Sequence, residues 1–139
     1  MSTPRSIAFC LYFLCFLAPF VFGVRYLVRS RFLPYHQAAL NMPWEALDFR
    51  LQTLLLGLIK AAAGGMLATA AGGFSILFLP FRAGASWANW ALLAILLCGG
   101  LPTIYATNRV WRKTGASTPQ LPAILVVALG VIACAIARS

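Results

Sequence analysis

Four apolar runs alternate with polar connections along this chain of 139 residues. Residues 7–24, IAFCLYFLCFLAPFVFGV, form an uncharged run of about eighteen, enough to cross a hydrocarbon core as a helix. Further runs cover 51–79, 87–107 and 121–137. Between the first two lies the longest polar connection, residues 25–50, RYLVRSRFLPYHQAALNMPWEALDFR. Its middle, 32–40, contains Pro34 and is amphipathic at best, which predicts a segment lying along the membrane surface and not a fifth span. The pattern predicts an all-α fold: a polytopic membrane protein with four transmembrane helices in a bundle and an interfacial segment between helices 1 and 2. No separate soluble domain fits, so residues 1–139 read as one domain.

Local signals refine the elements. Arg25, Arg29 and Arg31 follow the first run at once, which marks a retained span whose end stays in the cytoplasm and not a cleaved export signal. Pro19 kinks that helix. Asn41 or Met42 caps the next helix, with Pro43 in its first turn and Glu45 and Asp48 where the positive end of the macrodipole favours acids. That helix then runs unbroken to Pro80, and Gly84 permits the turn over residues 80–86. In the third run Pro102 weakens the ladder near Gly99 and Gly100, where Thr103, Tyr105 and Thr107 offer hydroxyls to freed carbonyls. Residues 108–122 read as an exposed basic loop.

Composition agrees with the pattern. Apolar residues make up 62% and charged ones 9%, against about 45–50% and 25% in soluble domains. The net charge of +9 comes from Arg and Lys flanking apolar runs, where they meet headgroups and set orientation. Nucleic acid is therefore not an expected partner; the lipid bilayer is, together with a second copy or another membrane protein. Cys10, Cys15, Cys98 and Cys134 all fall inside apolar runs, so no disulfide framework follows. Arg25, Arg29, Arg31, Arg50, Lys60, Arg109, Arg112 and Lys113 belong to one side, Arg5, Arg82 and Arg138 to the other. This places residues 25–50 and 108–121 in the cytoplasm and both termini outside, in the cell inner (plasma) membrane.

Candidate chemistry is sparse. The polar residues nearest a span are His36, Glu45, Asp48, Gln52 and Lys60, and the last four share a face of one continuous helix. Two readings of Lys60 stand: a stem that snorkels to the membrane boundary, or an ionisable intramembrane site. A more specific signal is Gly57, Ala61, Gly65, Thr69 and Gly73 at every fourth position, with Gly64, Ala68 and Gly72 beside them. Small residues at that spacing let two helices approach closely. Arg82, Trp87 and Trp90 are the interface anchors of the opposite side. No phosphate loop, nucleophile elbow or zinc motif is present, and one His makes no paired metal set, so neither metal nor cofactor is expected.

The strings FLPYH at 32–36 and LPFRAGASWANWA at 79–91, with the Gly pairs between them, resemble a pattern of small uncharacterised bacterial four-span membrane proteins. The resemblance implies the span count and brings no activity with it. Two function classes follow from the residues: a structural, assembly or accessory membrane protein associating through the small-residue face, or a membrane-embedded enzyme or transporter with a polar site at the cytoplasmic interface.

Overall fold

The computed structural model describes residues 2–139, and among them every regular element is helical. Helix α1 spans Thr3–Leu27, α2 Pro34–Leu40, α3 Phe49–Ile76, α4 Ser86–Thr114 and α5 Gln120–Ile136, with a 3-10 turn at Trp44–Ala46 and a π-helical turn at Leu77–Phe81 that extends α3. Three helices are long and apolar enough to cross a membrane: α1, α3 with its π extension, and α4. Helix α5, at 17 residues, is a shorter apolar helix.

Helix α1 is central, packing against α3 on one side and α5 on the other, while α4 packs on α5 and touches α3. Phe16 meets Gly73 and Gly23 meets Leu67, so α1 and α3 run antiparallel; Gly100 meets Val127 and Gly130 meets Leu96, so α4 and α5 do as well. Ala8, Tyr12, Cys15 and Phe16 of α1 are fully buried against Leu77, Phe81, Leu92 and Ala133. Around them Phe9, Phe13, Phe74 and Phe78 pack ring on ring, the Phe9–Phe78 centroids 5.5 Å apart at 77°. Edge-on pairs of this kind add about 0.5–1.5 kcal/mol each beyond burial.

Several expected boundaries move. The segment 41–48 does not begin the long helix. Asn41 takes a left-handed conformation that ends α2, and Leu47 is extended and buried. Helix α3 starts only at Phe49, where the Asp48 carboxylate accepts the Arg50 N–H at 2.9 Å. The physical reason is that Asn41, in the left-handed region, cannot serve as an N-cap, whereas Asp48 can, following Leu47, which is extended and buried. Helix α4 in turn continues to Thr114, so Arg109, Arg112 and Lys113 ride on its last turns and not in a loop. Cations there oppose the negative end of the macrodipole, and the helix ends at Gly115, at φ +69°, whose N–H donates to the Trp111 carbonyl.

Proline is absorbed in two ways. Pro80 sits inside the π turn, whose wider spacing takes up the missing donor. Pro102 stays within α4 and leaves the Cys98 carbonyl without its helical donor, while the Thr103 hydroxyl donates to the neighbouring Gly99 carbonyl at 2.8 Å.

The row Gly57, Ala61, Gly65, Thr69 and Gly73 does not form one interface. Four residues overshoot a helical turn by about 40°, so a row at that spacing winds around the helix. It starts on an open side, where a Cβ on Gly57 or Gly65 would meet nothing within 4 Å, and ends against α1, where a Cβ on Gly73 would lie 2.2 Å from the Phe16 ring. The buried residues of α3 are instead Ala63, Ala70 and Gly73, with Ala63 beside Gly23 and Gly73 beside Phe16 of α1. Gly73→Leu is therefore expected to destabilise the fold by about 1–3 kcal/mol through overpacking, whereas Gly57→Leu changes it by no more than about 0.5 kcal/mol. Loss of helical circular dichroism during titration with a denaturing detergent measures both; equal shifts would contradict the packing described.

Candidate functional site

The polar residues near the first connection are brought to one end of the molecule, but each is engaged separately. Glu45 Oε1 pairs with Arg31 Nη1 at 2.7 Å, with both side chains about two-thirds exposed (66% and 67%), and such a surface pair contributes little. Asp48 caps α3. Gln52 Nε2 donates to the carbonyls of Trp44 at 2.8 Å and Leu47 at 3.2 Å, tying the 3-10 turn to α3. Lys60 Nζ reaches across to α1 and donates to the carbonyls of Leu27 at 2.7 Å and, more weakly, Arg29 at 3.5 Å. With Glu45 outside α3, the stripe of four on one helix face does not form. No group of three or more His, Cys, Asp or Glu side chains able to hold a metal occurs among the described residues.

His36 lies in an aromatic nest. The Tyr35 ring is 4.0 Å away centroid to centroid, and Tyr26 and Phe32 approach at 6.5 and 6.3 Å. Its Nδ1 accepts the Leu33 N–H at 3.1 Å, closing the first turn of α2 from the side-chain side. An accepting Nδ1 puts the proton of the neutral ring on Nε2. Burial lowers the His36 pKa below its ordinary 6.5, because the nest does not solvate a cation. Tyr35 and Tyr26 share a hydroxyl–hydroxyl hydrogen bond, and burial followed by that bond raises the Tyr35 pKa.

The most enclosed polar cluster is elsewhere, and the sequence reading passed over it. Asn89, on α4, is the one buried polar residue among the described residues. Its Oδ1 accepts from the Tyr12 hydroxyl of α1 at 2.9 Å, and its Nδ2 donates to the Cys134 carbonyl of α5 at 3.1 Å and approaches Cys134 Sγ at 3.3 Å. Nearby, Cys15 Sγ points to the Val126 carbonyl at 3.5 Å, a long and weak contact. The available signal was an amide one turn inside an apolar helix, a residue type that acts as glue between membrane helices. Arg5 was likewise read only as a flanking charge. Its Nε and Nη2 both donate to the Phe81 carbonyl, at 3.1 and 2.9 Å, with the guanidinium 4.8 Å from the Phe81 ring centroid. At that same end Arg82, Trp87 and Trp90 are exposed, and Arg138 lies 5.1 Å over the Trp90 ring.

At the opposite end, α2 crosses toward α4 and leaves a hollow of about 540 Å³ between itself, the end of α1 and the α4–α5 connection. Phe22, Arg25, Leu33, Ala38 and Ser117 are among its walls.

Two outcomes follow from these contacts. Tyr12→Phe and Asn89→Leu each destabilise the fold, by about 1–3 kcal/mol where a buried partner is orphaned. The double variant loses less than the sum, with a coupling of about 0.6 kcal/mol and at most about 1.7 as between bilayer helices; strict additivity in a detergent-unfolding cycle would deny the network. For His36 the sign is set by its lowered pKa. Below about pH 6.5 the unfolded segment takes up a proton that the folded one refuses, so α2 is at full stability above that pH and loosens as pH falls through it. The protection of the Leu33 amide, its exchange measured against the intrinsic rate at each pH, should fall on acidification in the wild type, and His36→Gln should lose that fall. No protein-family model, no curated protein and no solved structure matches the chain, so its function rests on these residues and their geometry alone.

Proposed function

We propose that this is a multi-pass integral protein of the cell inner membrane, of structural, assembly or accessory type, and that it associates through the open side of α3. In this reading α5 is the fourth span: 17 residues rise about 26 Å, close to a bilayer core of roughly 30 Å once the ends thin or tilt. The four helices then form the transmembrane bundle, with the Arg-rich end of α1, α3 and α4 in the cytoplasm and both termini outside.

One observation carries the association. A Cβ placed on Gly57, Gly64, Gly65 or Gly72 would touch nothing within 4 Å, although glycines weaken a helix by about 0.5–1 kcal/mol each when they serve no packing purpose. Gly57, Ala61, Gly64, Gly65 and Ala68 lie on the side of α3 turned away from Ala63, Ala70 and Gly73, and all five are exposed. In lipid a flat small-residue surface is a place where helix backbones approach and van der Waals contact replaces hydrocarbon tails. The partner is another transmembrane helix, first of all the α3 of a second copy, because such a surface is self-complementary about a twofold axis. The engagement of Glu45, Asp48, Gln52 and Lys60 in capping and tying contacts supports the same reading over a catalytic or transport site.

The test is energy transfer between two labelled populations of the full chain in lipid vesicles. Gly65→Leu and Gly64→Leu are expected to abolish transfer while helicity and insertion are unchanged. Unchanged transfer in both variants, or none in the wild type, would overturn self-association through α3.

A further inference from the structure

The hollow at the Arg-rich end has walls of two kinds. Phe22, Leu33 and Ala38 give hydrocarbon, and Arg25 and Ser117 give the unspent polar groups. The other polar lining groups are already committed: the Tyr35 hydroxyl is bonded to Tyr26, and the Thr118 hydroxyl donates to the Thr107 carbonyl at 3.1 Å. Arg25, by contrast with Arg31 and Arg109, has no side-chain hydrogen bond or ion pair among the described residues. A second hollow of about 390 Å³ lies on the far side of Ser117 and Thr118, walled by Trp111, Leu121 and Ile124. Hydrocarbon surface therefore flanks a small polar centre holding one free guanidinium.

We infer that this end of the molecule binds one anionic phospholipid, its phosphate on Arg25 and Ser117 and its chains leaving past Phe22 and Leu33 toward the bilayer. The inference requires the Arg-rich end to lie at headgroup level and is independent of association through α3. At about 540 Å³ the hollow has the volume of a small-molecule site, about 300–1,000 Å³, room for a headgroup and the first methylenes but not for two whole chains. A guanidinium matches phosphate oxygens in pairs, which selects against a neutral amphiphile. A single cation among mostly apolar walls selects against free phosphate, which gains nothing from hydrocarbon.

The experiment reconstitutes the full chain in bilayers of equal phosphatidylglycerol and phosphatidylcholine and reads lipids retained in a native mass spectrum. The wild type is expected to keep phosphatidylglycerol in preference. Arg25→Gln should lower that preference about fivefold, the worth of one cation near an anionic surface, and Arg25→Lys should retain most of it. Ser117→Ala, in an exposed connection where folding is not at risk, should lower it by less. Arg29→Gln, outside the hollow, should leave it unchanged. An absent preference in the wild type overturns the inference, as does an equal fall in Arg29→Gln, which would mean diffuse attraction to the surface. Displacement of the lipid by millimolar inorganic phosphate or glycerol phosphate would also overturn it, since the headgroup alone would then be the ligand.

Discussion

The last carbonyls of a helix have no donor within that helix, and next to hydrocarbon there is little water to supply one. In this molecule three helices solve the problem with a donor from a different helix. Arg5 of α1 caps the end of α3 at Phe81, and Lys60 of α3 caps the end of α1 at Leu27. Asn89 of α4 caps the Cys134 carbonyl of α5, which the Arg138 N–H leaves free by turning to Ala135. The first two contacts are reciprocal and fix the register of the antiparallel α1–α3 pair at both ends. By contrast α4 ends on its own chain conformation, at Gly115, as the short α2 does at Asn41. The helices are thus held by satisfied carbonyls at their ends and by close-packed rings and small residues between.

Helix α3 divides its small residues between two purposes. Ala63 and Gly73 let α1 close in, to the point that the Phe16 ring occupies the space a side chain at Gly73 would need. The glycines on the other side meet nothing in the chain. A spacing of four does not distinguish these two sets, because the helical repeat of 3.6 carries any such row from one face to another within about four steps.

What could be read in the sequence was what depends on local composition: helical class, apolar runs, and a C-terminal apolar helix whose bounds, 121–137, fall within one residue of those found. What could not be read depends on a partner distant in the chain. Lys60 offered two readings, a snorkelling stem or an intramembrane site, and neither names the partner it has, the α1 terminus 33 residues earlier. Glu45 and Asp48 look like neighbours on a helix until the extended, buried Leu47 separates them. Asn89 differs from Asn108 only in what surrounds it: α1 and α5 bury the first, and the second lies on a part of α4 they do not close over.

The contact between Arg5 and the end of α3 joins positions 76 residues apart. During synthesis the chain is delivered in order, so α1 exists long before its counterpart. Until Phe81 has been added the guanidinium at the start of α1 lacks its carbonyl, and the α1–α3 pair can settle into register only after that moment. The order of manufacture therefore leaves the first helix unlocked until the end of the second has been made.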